Sequence, residues 1–146
     1  MVMNMHYEMD MLDSILKNAQ IGQLEIRSVL SSPMRPTLRS ALESQLKELN
    51  SIEAEAWLIA SRRGWEMADL EPATKLISYL KTRAKLMGGN TDSKIADMMI
   101  RGNTNGMIAC LKNHHQFNRQ DFQIHHLSQK LLDCETANIR QMQTFL

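Results

Sequence analysis

Four stretches of this chain repeat apolar residues at steps of three and four, and little interrupts them. That spacing returns to one side of an α-helix at each turn, so every stretch reads as an amphipathic helix with one apolar stripe. The first helix is expected over about residues 7–31, with Leu12, Ile15, Leu16, Ala19, Ile26, Val29 and Leu30 as its stripe. The second is expected over about 37–63, on Leu38, Leu42, Leu46, Leu49, Ala56 and Ala60. The third, about 93–115, carries Ile95, Met98, Met99, Gly102, Gly106 and Ala109; the fourth, about 121–145, carries Phe122, Leu127, Leu131, Cys134, Met142 and Phe145. Four such helices, each roughly 22–28 residues or ~33–42 Å long at 1.5 Å per residue, can bury their stripes only against one another.

The breaks between stripes are chemically marked. Pro33 and Pro36 bracket a tight connection between the first two helices. Gly64 supplies a C-terminal stop, and Trp65 is placed to fold back on the last turn. Asp92 or Ser93 can cap the third helix and Asp121 the fourth. Between Glu66 and Gly89 lies a long connection with its own short helix, about 72–87, which Pro72 opens and Gly88-Gly89-Asn90 ends. A connection of that length can carry the chain across a bundle, so that the second and third helices run parallel. The expected architecture is therefore all-α: one domain over 1–146, an antiparallel four-helix bundle of the ferritin-like kind with a crossover connection.

Composition agrees with helices and excludes several functions. Met is used 12 times, Gly and Pro are scarce, and aromatics make up only 5% of the chain. A formal net charge of +1 draws in neither nucleic acid nor an acidic membrane. Lys75, Lys81, Arg83 and Lys85 have only Tyr79 as an aromatic neighbour, so they read as a solvated helix face. No apolar run reaches the ~20 residues of a membrane span, and the acid-bearing start lacks the pattern of a signal peptide, so a cytoplasmic protein is expected. Cys110 and Cys134 fall at different heights on facing helices and are expected to be buried free thiols.

A ferritin-like di-iron site needs a Glu from each of two helices and a Glu-x-x-His from each of the others. That set is absent. Glu48 is followed three residues on by Ser51, and Glu135 by Asn138; the first helix offers Glu25 and the third no Glu at all. What remains is a polar layer of Glu53 and Asn138, joined by Gln23 and Asn105. It reads first as a hydrogen-bonded network that fixes helix register, then as a weak metal site, then as a small-molecule pocket. The metal candidates are Glu53, Glu135, Glu25 and Glu48, with iron, manganese or zinc as the ion. His114-His115 and His125-His126 lie near one end of the bundle, where one of each pair could meet across the turn. Gly102-x-x-x-Gly106 reads as a place of close helix packing, and Met1, Met3 and Met5 as a frayed terminus.

The first hairpin resembles the spore coat protein F-like family of the ferritin-like superfamily. The matching residues are Arg27-Ser28-Val29-Leu30, Pro36-Thr37-Leu38-Arg39 and Arg63-Gly64-Trp65. The second hairpin is similar to small ferritin-like proteins of spore-forming bacteria along the stretch from Ile95 to Ile108. The resemblance implies a four-helix bundle with a metal-free core or a reduced metal site. Many coat F-like sequences carry His on the second helix where this chain has Glu53, so no inherited site follows. The leading expectation is a non-enzymatic structural or interaction protein, sporulation- or stress-associated, self-associating as a dimer and with no cofactor. The alternative is a metal-binding ferritin-like protein with a reduced carboxylate site. A weaker third is a carrier with a Met-rich core around an apolar ligand.

Overall fold

The computed structural model describes residues 2–70, 92–116 and 121–146, with side chains from Tyr7 onward. Four helices make up the described part: α1 Val2–Leu30, α2 Pro36–Arg62, α3 Asp92–Gln116 and α4 Phe122–Gln143. The expected short helix at 72–87, the Gly88-Gly89-Asn90 stop, the basic run from Lys75 to Lys85 and Met1 lie outside the described residues, as do the side chains of Met3 and Met5. Helix α1 begins at Val2, five residues earlier than the stripe suggests.

The four helices form a bundle in which α1 packs on α2 and α3, and α4 packs on α2 and α3, with a weaker diagonal contact between α1 and α4. Two ion pairs fix helix direction. Arg35, which precedes α2, reaches Asp92 at the start of α3 at 2.5 Å. Arg63, which follows α2, reaches Asp121 at the start of α4 at 2.8 Å. Thus α2 and α3 begin at the same end, and α4 begins where α2 stops.

The boundaries have local causes. Arg63 caps α2, and Gly64 follows with φ of 70°, a left-handed conformation that suits glycine. Gly64 N–H then donates to Ser61 O (3.2 Å) and Trp65 N–H to Ala60 O (2.9 Å), which satisfies two terminal carbonyls. Trp65 packs against the core under the Arg63 guanidinium, 5.1 Å from the ring centroid. Asp121 caps α4 by accepting from the N–H groups of Gln123 and Ile124. The Arg63 hydrogen bond holds the Asp121 acid below its usual value, with the two backbone donors adding to that against partial burial.

The core is a continuous cluster that includes Met11, Leu12 and Leu16 of α1, Leu42, Ile52 and Ile59 of α2, Met99 of α3 and Leu127 and Leu131 of α4. Each such side chain contributes about 1.5–3 kcal/mol of burial. Three expectations are corrected, one of the apolar stripe and two of the polar layer. Phe122 is 85% exposed, because at the first turn of α4 it faces outward and stacks on His126. Asn105 is exposed and joins no buried layer. Glu53 is only partly buried; Ile52, one residue earlier and fully buried, takes the inward position. Both cysteines are free and buried, and burial pushes each thiol up to about 12. None of the described helices is long and apolar enough to cross a membrane.

Candidate functional site

The four candidate carboxylates divide among three places. Glu53 faces the α1–α2 side, where Gln23 Nε2 donates to it at 2.7 Å, and Gln20 Nε2 and Trp57 Nε1 at 3.1 Å each. Partial burial works against its charge, but these three donors and the nearby Arg27 together hold its acid below the usual 4.5. It is a carboxylate already satisfied by protein donors. Glu48 is exposed on the α2–α4 side, where it accepts from the Cys134 thiol at 3.5 Å. Only Glu25 of α1 and Glu135 of α4 come together.

Their meeting place is a cavity of about 250 Å³ between α1 and α3. Small residues open it: Gly22 on one wall, Gly102, Gly106 and Ala109 on the other. The two glycines of α3, one turn apart, do not serve a close helix–helix approach as the spacing suggested. A Cβ at Gly102 would lie 2.8 Å from Glu25 Cδ, and one at Gly106 would lie 2.6 Å from Glu135 Cδ. The carboxyl groups occupy the space that two side chains would have filled. Leu49 of α2 and Ile21 of α1 add an apolar part to the lining.

Glu135 is 3% exposed. Burial, and secondarily the charge of Glu25, pushes its acid up to about 8, against the pull of a hydrogen bond from the Asn18 amide. Asn18 also donates to Gly106 O at 3.0 Å and to Cys110 Sγ at 3.4 Å, tying α1 to α3 at this height. Lys17 sits at the same cavity, but its ammonium is held by Asp13 at 3.1 Å and by the Ala68 carbonyl. Among the described residues no basic side chain forms an ion pair with Glu135.

Asn138 is buried and donates to Cys134 Sγ at 3.6 Å, away from Glu53, so the expected single polar layer is several separate contacts. At the bundle end, His114 and His125 do meet, with ring centroids 5.0 Å apart, and His114 Nε2 bonds the buried Ser128 hydroxyl at 2.6 Å. Burial, then the neighbouring His125 and His115, lowers the His114 pKa. Among the described residues no three His, Cys, Asp or Glu side chains converge as a set that could hold a metal ion. The cavity was legible only in part, since Glu25 and Gly102-x-x-x-Gly106 stood out separately but nothing local links them. No family model matches the chain, and neither a curated protein nor a solved structure matches it.

Proposed function

We propose that this chain is a ferritin-like bundle with no enzymatic activity, whose role is structural or interactive and whose fold does not depend on a metal. The observation that carries this reading is the dispersal of the carboxylates. Glu53, one of the four candidate acids, is saturated by Gln20, Gln23 and Trp57 and serves to lock α1 against α2. Glu48 stands apart from it, and Glu25 and Glu135 form a pair rather than the six-ligand set of a di-iron centre. The parallel start of α2 and α3 at Arg35–Asp92 supports the ferritin-like order of helices. A sporulation- or stress-associated setting and self-association accord with the resemblance of the first hairpin to coat F-like proteins.

Metal content of protein purified without chelator or histidine tag tests this reading, together with melting curves with and without EDTA. Metal far below one per chain and an unmoved melting point are expected. Near-stoichiometric iron, manganese or zinc that EDTA removes with a lowered melting point would overturn it.

A further inference from the structure

We infer that the cavity between α1, α2 and the residues that follow α2 is a binding site for a small zwitterion, an amino acid with a short carbon chain, whose ammonium rests on Gln20 and Asp69 and whose carboxylate rests on Arg27. This goes beyond the structural role proposed above and does not depend on it.

Three observations converge. The first is an orphaned acceptor. Gln20 Nε2 donates to Glu53 Oε2 at 3.1 Å and to Asp69 Oδ1 at 3.4 Å. An amide set between two carboxylates must turn its nitrogen to them, because its oxygen would meet only acceptors there. The orientation is therefore fixed, and Gln20 Oε1 is left buried with no hydrogen-bond partner. Buried polar atoms are nearly always paired, so this oxygen calls for a donor. The second is a cation without a carboxylate. Arg27 lines the same cavity, two turns further along α1, and forms no ion pair among the described residues. The Glu53 charge acts on it, but both Glu53 oxygens are already taken by Gln23, Gln20 and Trp57. The third is room. At about 30 Å³ per water, a cavity of 180 Å³ has the volume of roughly six waters, which suits a ligand of about five to seven non-hydrogen atoms.

Charge and lining select the class. The walls carry Arg27 of one sign and Glu53 and Asp69 of the other. A simple anion drawn to Arg27 meets two carboxylates, and a simple cation drawn to Asp69 meets a guanidinium. A molecule that carries both charges sets each against its opposite. Its ammonium has three N–H donors, enough for Gln20 Oε1 and for Asp69, whose described hydrogen bond is the long one from Gln20. Its carboxylate matches the planar fork of Arg27. Leu24 and Leu70 give the carbon chain an apolar wall. A water would satisfy Gln20 Oε1 but would leave the guanidinium without an anion.

The test uses the full chain at pH 7 with glycine, β-alanine and γ-aminobutyrate as probes, read by ligand-observed NMR and by the shift in melting point. Propionate and propylammonium, which each keep one of the two charges, are run beside them. At least one of the three amino acids is expected to bind at least tenfold more tightly than both single-charge analogues. Arg27→Gln is expected to bring that amino acid down to the affinity of propylammonium, and Asp69→Asn to weaken it at least fivefold. Both side chains are exposed, so both variants should keep the melting point of the parent. Failure of all three amino acids to bind would overturn the inference. So would propionate or propylammonium binding as tightly as the best amino acid, or an unchanged affinity in Arg27→Gln. The comparison of probes is made on the unaltered protein and stands whatever the variants do.

Discussion

Replacing Glu135 with Gln should make this protein more stable, and by an amount that depends on pH. In the unfolded chain the Glu135 acid titrates near 4.5; in the bundle, burial and the Glu25 charge raise it to about 8. A raised acid pKa means that the folded state holds a proton the unfolded state releases. Stability is therefore lost as pH rises from 4.5 toward 8, and is level below and above that window. At pH 7 the gap from 4.5 is about two and a half units, and at about 1.4 kcal/mol per unit the penalty is about 3 kcal/mol. Gln has the shape of the protonated acid and no charge to desolvate, so Glu135→Gln removes this penalty. For a chain of this size that is a rise in melting point of roughly 10 °C. Thermal unfolding by circular dichroism at pH 5, 6, 7 and 8 would measure it, with the variant's advantage largest at pH 8 and down to about 0.7 kcal/mol at pH 5. A variant no more stable than the parent at pH 8, or an advantage that stays constant with pH, would refute the reasoning that Glu135 is an uncompensated buried acid.

Other substitutions probe the same geometry. Gly106→Ala would stabilise an exposed helix by about 1 kcal/mol on propensity alone, but here the new Cβ meets Glu135 Cδ at 2.6 Å; a net loss of about 1–3 kcal/mol is expected in urea titrations, relieved in the Gly106→Ala/Glu135→Ala double variant. Glu53→Ala leaves the buried Gln23 amide and the Trp57 indole without their shared acceptor, so a loss of about 1–3 kcal/mol with an unchanged denaturant slope is expected. Cys110 and Cys134, with thiols pushed up to about 12, should resist a thiol reagent at pH 8 in the native protein and react fully in guanidinium; fast native labelling would show that the core is open at that height.

The residues made the scaffold legible because its signals are local. A period of three to four, Gly64 after the last turn of α2 and Asp121 before the first turn of α4 all act within a few positions, and each is found in its role. The site was less legible because it depends on which neighbours share a height. Adjacent positions on a helix differ by about 100°, so a stripe does not decide between Ile52 and Glu53 for the inward place. Packing decides, and it gives the place to Ile52. Gly102 and Gly106 were visible as small residues, but their neighbours are carboxyls from α1 and α4 rather than a helix backbone, and the intervening chain is long. Glu135 was visible as an acid near the stripe; its isolation from Glu53 and its pairing with Glu25 follow from the register between hairpins.

The two arginine clasps that set helix direction are unequal. Arg35 is 67% exposed while Asp92 is 11% exposed, and Arg35 lies over the Phe145 ring at 6.0 Å; Arg63 and Asp121 are 24% and 30% exposed, and Arg63 also touches Gln123, Glu8 and, at 5.1 Å, the Trp65 ring. Salt screens the first clasp more strongly than the second. The molecule therefore has a soft end and a firm end. Amide hydrogens near the starts of α2 and α3 should exchange with solvent faster than those near the end of α2 and the start of α4, and added salt should widen that difference, so that the bundle breathes from the Arg35 end while the Arg63 end stays shut.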